Sequence, residues 1–132
     1  MRRDKNDEAW QACKKVVYQL DGNMCCLCKC MTFAEQAKQQ AFFKKQGSTG
    51  NLSTIDPAHH IPVSSDISIM YDPNNVYCMC RWHHHNLDNL MNPFDQSPMT
   101  QEEAEAYWQR AMNTRYKDEI EKPLPGFFYD EL

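Results

Sequence analysis

Residues 56–89 read DPAHHIPVSSDISIMYDPNNVYCMCRWHHHNLDN and contain every histidine of the chain. The histidines form one pair and one run of three, and two cysteines precede the run: His59, His60, Cys78, Cys80, His83, His84 and His85. Imidazole and thiolate are the side-chain groups that zinc and related ions prefer as ligands. Because packing needs alone would not gather so many of them in one stretch, the pattern indicates a metal-binding protein.

Length, hydropathy and cysteine count narrow the class of protein. A chain of 132 residues has room for one domain with a modest core, which we expect to span residues 1–132. The mean hydropathy is −0.75, and we expect neither a membrane span nor an export signal. The seven cysteines are odd in number and clustered, which favours metal ligation in a reducing compartment such as the cytoplasm over a disulfide framework.

The net charge of −4 argues weakly against a surface that coats nucleic acid. It does not exclude a compact site that is locally cationic through a metal ion and a few basic side chains. The candidates for such local charge are Arg2, Arg3, Lys14, Lys15, Lys38, Lys44, Lys45, Arg81, Arg110 and Arg115. Most of these are expected to be solvated surface residues. A contact with DNA phosphates is an open alternative for Arg110, Arg115 and Lys117 on the last predicted helix.

Three segments are predicted to be helices, namely residues 6–20, 32–46 and 100–121. Each begins with capping chemistry: Asn6 or Asp7, Thr32 with Glu35, and Thr100 with Glu103. Glycine or turn residues follow the first two segments, and prolines follow the third. Apolar residues recur at helical spacing in the first and third segments, which predicts that one face of each helix packs on the domain.

Residues 56–89 are predicted to form two short strands and a helix. Residues 59–63 and 76–79 have strand composition, and the loop between them ends in a strong turn signal at residues 72–75. Residues 81–91 are predicted to be helical. Residues 46–54 and 90–98 are predicted to be irregular connectors, and residues 127–132 a short aromatic tail.

The first cysteine cluster, CCLCKC at residues 25–30, contains one metal-binding spacing. Only Cys25 and Cys28 are separated by two residues, which lets both thiolates reach one tetrahedral ion from a tight turn, a zinc knuckle. Cys26 and Cys30 are then expected to be packing residues or spare thiols. A thioredoxin-like redox motif is the rival interpretation, but the βαβ context is missing and the histidines would be left unexplained.

Taken together, these motifs resemble an HNH endonuclease of the ββα-metal kind, also called a His-Me finger, with a structural zinc. The family pattern is a Cys-x-x-Cys, an Asp-His or His-His pair, an asparagine five residues before a second knuckle, and a histidine directly after it. The matching residues are Cys25, Cys28, His59, His60, Asn75, Cys80, His83 and His84. The second knuckle departs from the pattern because histidine replaces its last cysteine. Within the family, residues 25–89 are most similar to phage recombination endonucleases of the NinG/Rap type.

The resemblance implies an α+β fold. It consists of a small ββα-metal core, at about residues 21–95, that a structural zinc holds together. The N-terminal, inserted and C-terminal helices flank this core. The zinc ligands would be Cys25, Cys28, Cys80 and His83. Zinc accepts the exchange of cysteine for histidine without a change of geometry, and such a site contributes folding free energy that a small core lacks.

The resemblance also implies an active site for cleavage of phosphodiester bonds in duplex or branched DNA. His60 would be the general base, and His59 and His84 would hold a catalytic divalent ion (Mg²⁺, Mn²⁺, Ni²⁺ or Zn²⁺). Asn75 would tie the loop to the strand and so orient the base. His85, Asp72 and Asp88 are weaker candidates, either as further ligands or as partners of a ligand.

The expected function is therefore a metal-dependent DNA endonuclease of the kind found in phage or mobile-element recombination or repair. A non-catalytic zinc-binding module that binds nucleic acid or protein is the alternative. The two differ in the use they have for His60, since a purely structural module needs no second adjacent histidine.

Overall fold

The structure is a computed structural model that describes residues 7–47 and 50–121, with side chains through residue 116. The elements in chain order are helices α1 (Glu8–Asp21), α2 (Cys26–Lys29) and α3 (Phe33–Gln46), strands β1 (Ile55–His59) and β2 (Val76–Cys80), and helices α4 (Arg81–Asp88) and α5 (Gln101–Glu121). Two 3-10 turns, Ile67–Ile69 and Pro73–Asn75, lie in the loop between the strands. The predicted α+β class is confirmed.

Capping residues mark the starts of the three long helices, and glycines mark the ends of two of them. Asp7 caps α1 by accepting hydrogen bonds from two backbone N–H groups. Thr32 and Glu35 form a reciprocal capping box at α3, and Thr100 and Glu103 exchange the same bonds before α5. A glycine in the left-handed region follows α1 and α3, with φ of 65° and 66°. The helices predicted at residues 6–20, 32–46 and 100–121 are confirmed to within two residues.

The sheet has two antiparallel strands, paired from Ile55 opposite Cys80 to His59 opposite Val76. Pro57 lies inside β1, opposite Cys78. At this register the Cys78 N–H donates to the carboxylate of Asp21 at 2.7 Å rather than to β1. The ladder therefore loses no hydrogen bond to the missing N–H of proline, which is how a two-stranded sheet accommodates it.

The strand predicted at residues 59–63 is wrong, because β1 ends where that strand was expected to begin. After His59 the chain leaves the ladder, and the His60 N–H donates to the backbone carbonyl of Asn75 at 2.9 Å. Strand β2 pairs with residues 55–59 and not with the residues that follow His59. Helix α4 also ends earlier than residue 91, since Leu90 has a left-handed φ of 54°.

Strand β2 is fully buried and separates two groups of core side chains. Tyr77 and Met79 pack in a cluster with α2 and α5, whereas Val76 and Cys78 pack against α1. Successive strand side chains point to opposite faces, so β2 joins the helices on its two sides. Because β2 leads directly into α4, this packing also fixes the start of α4.

A buried ion pair connects α1 to α5. The Arg115 guanidinium donates to both carboxylate oxygens of Asp21 at 2.6 and 2.7 Å, and Arg115 is 1% exposed. It also donates to the carbonyls of Pro73 and Val76, each at 2.7 Å, and lies 4.0 Å from the centre of the Tyr77 ring. The guanidinium thus makes four hydrogen bonds, two of them to a buried carboxylate of opposite charge, and a buried charge requires such partners.

These contacts correct the alternative in which basic residues of α5 face DNA. Arg115 is enclosed, and Arg110 makes a two-pronged ion pair with Glu35 at 2.7 Å and donates to the carbonyl of Cys30 at 2.9 Å. Both residues hold α5 to the rest of the domain. The side chain of Lys117 lies outside the described residues, as do Arg2, Arg3, residues 48–49 of the predicted loop and residues 127–132.

No helix in the described part of the chain combines the length and the apolar character needed to cross a lipid bilayer.

We expect Arg115→Met to destabilise the protein by about 3–5 kcal/mol, because it leaves the Asp21 carboxylate buried without its partner. Urea unfolding followed by circular dichroism measures the change. Lys38→Ala is the matched control, since it breaks an ion pair with Asp95 whose lysine is 51% exposed and should cost at most about 1 kcal/mol. Equal stability of Arg115→Met and the native protein would contradict a stabilising role for this pair.

Candidate functional site

Two short turns of similar geometry present the predicted zinc ligands. Cys25 caps α2, and its sulfur accepts the Cys28 N–H at 3.3 Å. Cys80 caps α4 in the same way, and its sulfur accepts the His83 N–H at 3.5 Å. In each turn the capping residue and the residue three positions later point to the same side. The two turns therefore each offer a pair of donor atoms.

The four donor atoms converge on one point. The His83 Nδ1 lies 3.6 Å from the sulfur of Cys25 and 3.4 Å from that of Cys28, and the sulfurs of Cys28 and Cys80 are 3.9 Å apart. All four lie within 4.8 Å of one another. Tetrahedral zinc with Zn–S bonds of about 2.3 Å needs sulfurs about 3.8 Å apart. The Cys3His cluster can therefore hold a metal ion such as zinc.

Gln39 of α3 fixes the orientation of the histidine. Its side-chain oxygen lies 2.7 Å from the His83 Nε2, and both residues are buried. An amide oxygen can only accept, so Nε2 carries the proton and the lone pair of Nδ1 points into the cluster. Sequence reasoning missed Gln39, because nothing in the sequence distinguishes it from the other glutamines of α3.

The thiols of the cluster favour one thiolate before any ion is considered. Hydrogen bonds from Cys28 and then Cys80 hold the pKa of Cys25 well below its ordinary value. The reciprocal contact with Cys25 raises the pKa of Cys80 to about 12. The close contacts among the three thiols thus favour a thiolate within the cluster, which is the form that binds metal.

The other four cysteines lie outside the cluster. Cys13, Cys26 and Cys78 are buried in the core, where burial raises the pKa of Cys26 and raises that of Cys78 to about 12. The Cys30 thiol donates to the carbonyl of Leu27 at 3.4 Å. All of them are free thiols. These placements agree with the packing role expected for Cys26 and Cys30.

His59 lies at the end of β1 with its ring held on two sides. Its Nε2 is 2.8 Å from the backbone carbonyl of Met70, and its ring stacks on Trp10 at 5.4 Å with 14° between the planes. A carbonyl can only accept, so Nε2 donates and Nδ1 carries the lone pair in the neutral ring. His59 is therefore fixed in one tautomer and one plane.

His84 lies between two carboxylates. Its Nδ1 is 3.1 Å from Asp56 and its Nε2 is 3.1 Å from Asp88. The Asp88 contact, opposed by burial and aided by Asp56, raises the pKa of His84. Burial works against ionisation of Asp56, but hydrogen bonds from Arg81 and then His84 outweigh it, and the pKa of Asp56 falls below its ordinary value. This arrangement stabilises a positive charge at the position of the ring.

The predicted catalytic histidines lie in two neighbouring cavities. The first, of about 460 Å³, is lined by Pro57, His59, Pro62, Val63, His84 and Asp88. The second, of about 440 Å³, includes His60, whose Nε2 lies 2.7 Å from both carboxylate oxygens of Glu105. Consecutive side chains at the end of a strand point to opposite sides. The structure thus brings His59 and His84 together and places His60 in the adjoining cavity, so the expectation of one pocket for all three needs correction.

Asn75 ties the loop to the end of β1. Its side chain accepts the Ile61 N–H at 2.9 Å and donates to the Ile61 carbonyl at 3.0 Å. Its own carbonyl accepts the His60 N–H at 2.9 Å. Asn75 is buried, and these bonds fix the backbone that carries both histidines.

The weaker candidates divide between the site and the surface. Asp88 borders both cavities, whereas Asp72 caps a 3-10 turn and His85 is exposed and contacts Asn89. Sequence reasoning missed Asp56 and Glu105. The register of β1, which positions Asp56, was predicted wrongly, and the packing of α5 that brings Glu105 to His60 has no local signal.

Protein purified under reducing conditions is expected to retain one tightly bound zinc ion per chain at the Cys3His cluster. Cys28→Ser and His83→Ala should lose the ion and unfold at lower temperature, because metal binding supplies part of the folding free energy. Elemental analysis and thermal denaturation measure the two effects. Cys30→Ser is the matched control and should retain zinc, since its thiol bonds to Leu27 instead. Full zinc content in Cys28→Ser and His83→Ala would show that the cluster is not the binding site.

The molecule thus presents two chemically different arrangements side by side. The Cys3His cluster is closed, with four protein donors and little access to water. Among the side chains of residues 7–47 and 50–116 it is the one group of three or more such donors that converges on a point. The cavity of His59 and His84 is open, and it combines an oriented imidazole with a carboxylate-flanked imidazole. No family model matches the chain, and comparisons with curated proteins and with solved structures gave no significant match.

Proposed function

We propose that this protein is a metal-dependent endonuclease that hydrolyses phosphodiester bonds in DNA, of the HNH kind that its sequence resembles. The observation that supports this best is the open cavity, in which the oriented His59 faces the same space as His84 and Asp88. Along the chain, β1, β2 and α4 follow one another in the order of the elements of a ββα-metal core. The seven free thiols suit a reducing compartment such as the cytoplasm.

We assign the general base to His59 rather than to His60. A base must present a lone pair to water in a fixed direction. The Met70 carbonyl sets the tautomer of His59, the Trp10 ring sets its plane, and Asn75 holds the backbone that follows it. The His60 ring instead bonds to Glu105 in the adjoining cavity.

His84 and Asp88, which both line this cavity, are the donors that we assign to a divalent ion, and Asp56 holds the other edge of the His84 ring. Imidazole and carboxylate together suit Mn²⁺, Ni²⁺, Zn²⁺ and Mg²⁺. An ion there would supply charge relief on the phosphate and on the leaving oxygen. Asp88 lies 3.1 Å from the His84 Nε2, so an ion held by these two residues would take the position of the proton that they share.

The two adjacent histidines of α4 link the closed cluster to the open cavity. Adjacent helical residues point about 100° apart, so His83 faces the cysteines while His84 faces β1. Ligation of His83 in the cluster fixes the position of α4 and thereby of His84. The structural ion would therefore support catalysis without touching the substrate.

His59→Ala is expected to reduce nicking of supercoiled plasmid by about 10²–10⁴-fold, because it removes the group that accepts the proton of the attacking water. His84→Ala should cause a comparable loss, while His60→Ala should retain measurable cleavage. The assay compares Mn²⁺, Mg²⁺ and Ni²⁺ with chelated samples by agarose electrophoresis. Zinc content and melting temperature, measured in parallel, show whether each variant is folded.

His85→Ala is the matched control, since His85 lies on the same helix but is exposed. It should cleave like the native protein. Loss of activity in His60→Ala with native activity in His59→Ala would reverse our assignment of the base. Absence of metal-dependent cleavage by the native protein would favour the alternative, a zinc-binding module without catalysis.

A further inference from the structure

The second cavity is a separate concave site between the loop after β1 and helix α5. Its lining residues are His60, Pro62, Leu87, Asp88, Leu90, Gln101, Ala104, Glu105 and Trp108. It encloses about 440 Å³, within the range of about 300–1,000 Å³ typical of small-molecule sites. The proposed catalytic roles use neither His60 nor Glu105.

The floor of this cavity is apolar and aromatic. Leu87 and Trp108 are 2% and 6% exposed, and the His60 ring lies against the Trp108 ring at 5.4 Å. Side chains of this kind pack against the faces of planar ligands, as in sites that hold an unstacked base between aromatic and apolar groups. The floor therefore suits a flat, partly apolar ring.

The rim is acidic. Two carboxylates, Asp88 and Glu105, line the cavity, and no lysine or arginine is among the lining residues. The carboxylate of Glu105 is fixed by His60 at 2.7 Å and by the Gln109 side chain at 3.2 Å. Each carboxylate oxygen has two lone pairs, so Glu105 can still accept from a ligand. Since Asp88 is already assigned to the ion of the first cavity, Glu105 is the carboxylate that repels phosphate here and attracts N–H donors.

The second cavity adjoins the first, since Pro62 and Asp88 border both. For a nucleotide whose phosphate is in the His59 and His84 cavity, the second cavity is the neighbouring concave space. Of the parts of that nucleotide, only the base is uncharged, planar and equipped with N–H donors. A base paired in a duplex presents neither its face nor its pairing edge, so it would have to be unpaired to enter.

We infer that the cavity of His60, Glu105 and Trp108 binds the unpaired nucleobase next to the scissile phosphate, and that Glu105 accepts a hydrogen bond from its exocyclic amine. This rests on the proposed function and narrows its substrate to branched or single-stranded DNA. Adenine, cytosine and guanine carry such an amine, and thymine does not. Glu105 therefore sets a preference among bases at the cleavage site.

The test uses three oligonucleotides that differ at one unpaired position, which holds adenine, purine without the amino group, or thymine. Cleavage rates are measured with Mn²⁺, and binding is measured by fluorescence anisotropy without added divalent ion. We expect the full-length protein to favour adenine over purine by about tenfold in both measurements, since one lost hydrogen bond of this kind is worth about 1–1.5 kcal/mol. Glu105→Gln should reduce that ratio towards one.

Glu102→Gln is the matched control, because Glu102 is an exposed acid in the first turn of the same helix and does not line the cavity. It should keep the preference for adenine. Equal treatment of adenine and purine by the native protein, or an unchanged preference in Glu105→Gln, would overturn the inference. If no oligonucleotide is cut while adenine is still bound preferentially, the proposed function fails and the base site stands.

Discussion

Three thiols and one imidazole meet within 4.8 Å where the starts of α2 and α4 come together. The sulfurs of Cys25 and Cys80 accept backbone N–H groups at the starts of α2 and α4. The same two sulfurs also point at the common centre. Gln39 reaches this centre from α3 and fixes the proton on the far side of His83. The cluster therefore joins segments distant in sequence. A small hydrophobic core gains stability from a metal cross-link of this kind.

A buried ion pair holds β2 at its middle. The Asp21 carboxylate accepts from the guanidinium of Arg115 and from the backbone N–H of Cys78, so α1, α5 and β2 share one buried charge pair. Pro57 is tolerated in β1 because the Cys78 N–H opposite it points out of the ladder to Asp21, so this pair is one that makes no ladder bond. Strand β2 is thus fixed by a cluster of sulfur and nitrogen donors at its end and by an ion pair at its middle.

These two constraints position the open cavity without contributing atoms to it. Helix α4 begins at the cluster and carries His84 on its other face, while the register of the sheet sets where β1 ends and therefore where His59 lies. Adjacent histidines on both elements have different surroundings: His83 faces the cysteines and His84 the first cavity, whereas His59 lines the first cavity and His60 contacts Glu105 in the second. In each pair, the direction of a helix or strand sends neighbouring side chains to different surroundings.

The sequence by itself determined the three long helices, whose caps are local, and the four members of the Cys3His cluster, whose spacing fits two knuckle turns. It also indicated the histidines that line the open cavity. Only the tertiary structure decided where β1 lies, because its position depends on pairing with β2, from Ile55 opposite Cys80 to His59 opposite Val76. The tertiary structure likewise enclosed Arg115, which the sequence left as a possible surface cation, and sent His60 to Glu105 of α5. Caps and knuckles are encoded within a few residues, whereas these contacts join positions dozens of residues apart and exist only once the chain has packed.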